Sequence, residues 1–245
     1  PDDRKQYTDV KPHDRLNSWK DGIYPNVIAL SVQDLIAARS RLVILGLPGS
    51  GKSTFVKHLA LCLAGAQIDG WTRPAALDQL GVWTHGKLTP VYVELRRFVA
   101  SEQFPKDEKT APTADHLVSY LKADMLHDDL AGYADDLKYD LEHGYAVLIL
   151  DGLDEVPAPD TGDGIKARQE QLKGLAQSLN SRYPKSRIVV ASRPYAYENW
   201  SLPGFEKIEI IDLEDQHRAT LAAKLYRVRG LNKDEADTKA NSLNA

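Results

Sequence analysis

Two short stretches hold the residue types that could do chemistry: residues 46–54 read GLPGSGKST and residues 151–155 read DGLDE. The second sets Asp151, Asp154 and Glu155 together where an apolar run ends. Two carboxylates about 4 Å apart repel by roughly 4 kcal/mol at the effective dielectric of a protein surface, so something must offset them. The first stretch can. Gly46, Gly51, Lys52 and Ser53 fit G-x-x-x-x-G-K-[ST]. Its glycines let the backbone fold tightly round an anion, the N–H groups from Gly49 to Thr54 point inward, and the following helix N-terminus adds partial positive charge. The expected nucleotide loop is therefore Gly46, Leu47, Pro48, Gly49, Ser50, Gly51, Lys52, Ser53 and Thr54. Lys52 would reach the β and γ phosphates, and the Ser53 hydroxyl would ligate Mg²⁺. A chance match in a glycine-containing loop would arise in roughly one chain in a hundred of this length at average residue usage, before strand and helix context is required.

Both stretches must share one rim for this to work. In a parallel sheet, ligands lie outside the carboxyl ends of the strands, which is where Asp151 and the loop after Gly46 would fall. A Mg²⁺ on Ser53, with Asp151 beside it directly or through water, would neutralise much of the repulsion. Asp154 and Glu155 would lie further out, where a carboxylate can orient or deprotonate an attacking water. The spacing does not choose the base, and Glu155 is preferred. Without the glycine loop, DGLDE would read as a solvated acidic turn. Arg193, at the end of a later apolar run, would reach the γ-phosphate from the same rim; on spacing alone a surface ion pair is an equal reading.

The elements that would position these residues are five short apolar runs, Arg41–Gly46, Pro90–Leu95, Tyr145–Leu150, Arg187–Ala191 and Lys207–Ile211. Several are apolar on consecutive residues, as strands covered by helices on both faces are. Helical patterns run between them over Lys52–Ala64, Thr113–Leu126, Leu130–His143 and Ile165–Arg182. Thr113 is placed as an N-cap and Gly144 as a helix-ending glycine. VPAPDTGDG at 156–164 reads as the clearest flexible loop. Asp212–Arg229 reads as a helix stopped by Gly230, and Asn232 with Glu235 as a capping box opening another.

With 245 residues, 42% of them hydrophobic, the chain is large enough for one sizeable core or two small ones. A formal charge of −4 with interspersed basic residues argues against direct nucleic-acid or anionic-membrane binding. A single cysteine, Cys62, excludes an internal disulfide and fits a reducing, cytoplasmic setting. No eighteen-residue apolar run or signal-like start is present, so a membrane span and secretion are not expected. A start without Met and a helical pattern continuing toward Ala245 suggest a segment of something longer.

Taken together, GLPGSGKST, LTPVYVELRRF at 88–98, VLILDGLDEV and RIVVASRPYAY resemble the NACHT domains of STAND-class P-loop ATPases, of the bacterial or fungal type. The acidic motif is the specific part: a small residue, Gly152, follows the strand-end Asp, and the acidic pair Asp154–Glu155 comes after it. The resemblance covers about residues 40–230. It implies a P-loop NTPase three-layer α/β sandwich with a five-stranded parallel sheet in the order 5-1-4-3-2, followed by the start of a helical domain. It also implies a lead-in over 1–40, a nucleotide-binding domain over 41–213 and a truncated helical domain over 214–245. Arg193 becomes the first sensor, ATP/ADP and Mg²⁺ the cofactors. QYTDV at 6–10 resembles the segment that packs near adenine in such proteins, although core packing is the preferred reading for Tyr7 and Val10. The family's winged-helix domain has no counterpart before Ala245.

The implied function is a slowly hydrolysing ATP switch that controls self-association and fused sensor and effector domains in innate-immune or antiphage signalling. A GTPase would need D-x-x-G at the acidic strand and N-K-x-D after another; Asp151 is followed by Gly152, Leu153 and Asp154, and Asn232-Lys233-Asp234-Glu235 ends in the wrong acid. A non-hydrolysing nucleotide-bound scaffold and, less so, a P-loop kinase are the alternatives.

Overall fold

The computed structural model describes residues 32–68, 76–80, 83–127, 130–160, 162–197 and 199–210, then 220, 222–224, 226, 227 and 229–241. QYTDV and most of the helix expected over 212–229 lie outside the described residues.

Residues 41–45, RLVIL, form β1 (Arg41–Leu45), and three further apolar runs form β2 (Thr89–Glu94), β3 (Ala146–Asp151) and β4 (Arg187–Ser192). A short edge strand, β5 (Glu206–Glu209), completes a five-stranded sheet in the order β2-β3-β4-β1-β5, in which every recorded pairing is parallel. This is the expected 5-1-4-3-2 order of a P-loop NTPase.

Consecutive apolar residues are needed because the two faces are packed separately. Val43, Leu45, Leu148, Leu150, Ile188 and Val190 face one apolar core, while Leu42, Ile44, Val147, Ile149, Val189 and Ala191 face another. All six residues of β3 are buried. Each fully buried aliphatic side chain contributes about 1.5–3 kcal/mol relative to exposure, so the middle strands anchor the fold.

The second core is completed by α1 (Val32–Ala38) and α2 (Lys52–Gln67), through Ile36, Val56, Leu59 and Leu63. The first is completed by four helices: α3 (Leu95–Ala100), α4 (Ala114–His127), α5 (Ala134–His143) and α6 (Gly164–Arg182). On α6, Leu172, Leu175, Ala176 and Leu179 repeat at helical spacing and supply the buried stripe. Among the described residues, no helix is long and apolar enough to cross a membrane.

Boundaries differ from expectation in physically simple ways. Leu95 does not end β2: with Phe98 and Val99 it makes an i, i+3, i+4 set that buries as α3. Residues 131–133 form a separate 3₁₀ turn before α5. Thr113 caps α4, and His116 Nδ1 accepts the Thr113 N–H at 3.0 Å, taking the place a glutamate holds in a capping box. Gly144 ends α5 at φ 84°, in the left-handed region.

The chain divides into two units, residues 1–210 and 211–245. In the second, Asn232 Oδ1 accepts the Glu235 N–H at 3.0 Å and Glu235 Oε2 accepts the Asn232 N–H at 3.3 Å, opening α7 (Lys233–Asn241).

Candidate functional site

From the end of β1 the chain turns through residues 46–51 into α2. Gly49 at φ 80° and Gly51 at φ 91° take a conformation that L side chains rarely adopt. Through it the Ser50 N–H donates to the Leu47 carbonyl at 3.1 Å and the Phe55 N–H to the Gly51 carbonyl at 2.8 Å. A methyl group on Gly46 would stand 2.4 Å from Ser50 Oγ. Gly51 provides no side-chain cap and the first turn of α2 carries no acidic residue, so the positive helix end faces the rim unneutralised by its own helix. Lys52 is buried, and its Nζ donates to the carbonyls of Gly46 at 2.6 Å and Leu47 at 3.0 Å, with Ser50 Oγ at 3.4 Å. Burial pushes the Lys52 ammonium below the ordinary lysine value; Asp154 and Asp151 pull it back up and Arg193 adds to the lowering.

Asp151 is the last residue of β3 and lies opposite Glu94 in register. Its Oδ1 accepts from Ser53 Oγ at 3.3 Å and its Oδ2 from the Tyr92 hydroxyl at 2.7 Å. Gly152, at φ 78°, then reverses the chain into a 3₁₀ turn, Leu153–Glu155. A Cβ on Gly152 would make only ordinary contact with the Glu155 side chain, at 3.4 Å, so the positive φ accounts for a glycine between the acids. Leu153 is buried in the first core and anchors the turn. Asp154, 6% exposed, pairs with Arg193: Nε lies 2.9 Å from Oδ2, and the Arg193 N–H donates to Oδ1 at 3.1 Å. Arg193 follows β4, whose Ser192 lies opposite Leu45 of β1. Glu155 is exposed.

Lys52, Ser53, Asp151, Asp154, Glu155 and Arg193 all line one cavity of about 200 Å³, whose loop wall is Pro48, Gly49, Gly51 and Thr54. Gly46, Leu47 and Ser50 do not line it, but each bonds the Lys52 ammonium. Among the described residues no group of three or more His, Cys, Asp or Glu could cage a metal. The adjacent Ser53 and Asp151 oxygens suit Mg²⁺ instead, which takes one or two protein oxygens and completes its shell with water and phosphate. Protein groups already offset the acidic repulsion: Arg193 pairs with Asp154, and two hydroxyls bond Asp151. Sequence reasoning offered an ion pair for Arg193 without naming Asp154 as its partner, and it missed Tyr92. The available signal for Tyr92 was parity, since it lies two residues before Glu94 on the strand that pairs with Asp151.

Comparison with known proteins gives three findings. The NACHT domain family model matches residues 40–238. No curated protein matches the chain. Among solved structures, a signal transduction ATPase with numerous domains (STAND) protein with a tetratricopeptide repeat sensor, from Pyrococcus horikoshii, is 13% identical at a TM-score of 0.34. The match covers 87% of this chain and 27% of that one, so this chain spans about a quarter of that protein's length. With the family model spanning most of its residues, the chain belongs to the NACHT domain family.

Proposed function

We propose that this domain binds ATP and ADP with Mg²⁺ and hydrolyses ATP slowly, as a cytoplasmic switch governing self-association and effector activation in innate-immune or antiphage signalling. The fused sensor and effector would lie outside this segment, and neither membrane nor nucleic acid is a direct partner. One observation carries the reading: loop, acids and guanidinium converge on a single cavity.

In this reading Gly46–Thr54 cradle the phosphates, Lys52 turns from the loop carbonyls to the β and γ phosphates, and Ser53 and Asp151 hold Mg²⁺. The metal would supply charge neutralisation to the departing phosphate oxygen. Glu155 is the preferred base, because Asp154 is already engaged by Arg193. A water oxygen attacks the γ-phosphorus as its proton passes to Glu155, the bond to the bridging oxygen breaks, and ADP and inorganic phosphate result. Switching requires a γ-phosphate that binds one conformation better than the other. Arg193 suits this, since a γ-phosphate would compete with Asp154 for the same guanidinium.

The test is phosphate release by wild type and Glu155→Gln. Replacing a general base should lower turnover by about 10²–10⁴-fold with ATP still bound. Equal release by both proteins would remove Glu155 from the chemistry, and no release by the wild type would favour the non-hydrolysing scaffold.

A further inference from the structure

The Tyr92 hydroxyl donates to Asp151 Oδ2 at 2.7 Å, while the other oxygen of that carboxylate faces Ser53 Oγ at 3.3 Å. The contact follows from strand geometry. Tyr92 pairs with Ile149 and Glu94 with Asp151, so Tyr92 and Asp151 are diagonal neighbours on one sheet face. That is also the face covered by α2, where Ile149 and Tyr92 pack in the second core. The Lys57 ammonium of α2 lies over the Tyr92 ring, 5.8 Å from its centroid.

We infer that Tyr92 is a positioning residue for the Mg²⁺ site: it holds one oxygen of Asp151 so that the other is presented beside Ser53. The inference rests on the proposed nucleotide reading. A carboxylate turns readily about its terminal torsion, which has broad, roughly two-fold preferences. A hydrogen bond to one oxygen removes that freedom and leaves the other oxygen aimed at the cavity. Tyr92 is the donor in this bond, because an ionised carboxylate can only accept.

The experiment uses the 245-residue chain and a non-hydrolysable fluorescent ATP analogue. Its affinity is measured in EDTA and across a Mg²⁺ titration, for wild type, Tyr92→Phe, Asp151→Asn and the double variant. Tyr92→Phe should leave the metal-free affinity unchanged and raise the Mg²⁺ concentration at half-effect by roughly 10–100-fold, the usual loss when an outer partner of a metal ligand is removed. In the Asp151→Asn background the same change should add little. A thermal melt of each variant checks folding, and the double-variant comparison retains its meaning if Tyr92→Phe lowers stability. An unchanged Mg²⁺ titration for Tyr92→Phe, or an equal loss in both backgrounds, overturns the role of Tyr92. A wild type whose nucleotide affinity ignores Mg²⁺ overturns the metal reading with it.

Discussion

At the scale of single residues, the pair between Asp154 and Arg193 is where stability and switching meet. Asp154 is almost wholly enclosed, whereas Arg193 is 37% exposed and its charge is partly screened by solvent. Arg193→Ala leaves the carboxylate with the residue 193 N–H, which does not depend on the side chain. The expected loss is therefore modest, about 1–2 kcal/mol in a urea titration, toward the low end for an under-satisfied buried group. Arg193→Lys keeps the charge without the planar fork and should fall between. The functional readout is separate: if this guanidinium distinguishes the third phosphate, Arg193→Ala should bring ATP and ADP affinities together while ADP affinity holds. Retained discrimination in competition binding would leave Arg193 as a structural ion pair.

Among the elements, strands did most to make the fold legible before any coordinates. β1, β3 and β4 are buried on both faces, so burial wrote itself into the sequence as unbroken apolar runs. β5 sits at the sheet edge with three of its four residues exposed, and its expected limits were shifted accordingly. α3 was hidden because a six-residue helix directly after a strand looks like more strand until its i, i+3, i+4 spacing is noticed. Motif spacing named the residues that line the cavity. It was silent on pairing, because Tyr92 meets Asp151 across 59 positions and Asp154 meets Arg193 across 39. Turn chemistry lay between these extremes, as Gly144 illustrates. A Cβ there would lie 2.8 Å from Lys185 Cβ and 2.9 Å from the Lys185 carbonyl oxygen, at φ 84°. Gly144→Ala should cost about 2–4 kcal/mol, combining a left-handed non-glycine residue with overpacking. Chemical denaturation should show that loss with nucleotide affinity unchanged, because α5 ends at the opposite end of β3 from Asp151.

For the molecule as a whole, the site carries a stability cost that its ligand would repay. Lys52 is a buried ammonium whose pKa is pushed down, chiefly by burial. A cation with a lowered folded-state pKa penalises the fold while it is charged. That penalty is present below the folded pKa and is relieved as pH rises through it. Lys52→Met keeps the hydrophobic stem and removes the charge, so near neutral pH its melting temperature without nucleotide should stay level or rise. The wild type should catch up as the medium becomes alkaline enough to discharge Lys52. Nucleotide reverses the ranking. A ligand present at 100 times its Kd stabilises the folded state by about 2.7 kcal/mol, which corresponds to roughly 5–11 °C for a unit of this size. Wild type should show that shift with Mg²⁺ and ATP and lose part of it on chelation, while Lys52→Met shows none. If Lys52→Met instead melts well below the wild type without nucleotide, the two carbonyl contacts of Lys52 outweigh its burial penalty. The lysine would then be a structural strut of the loop as well as a phosphate ligand.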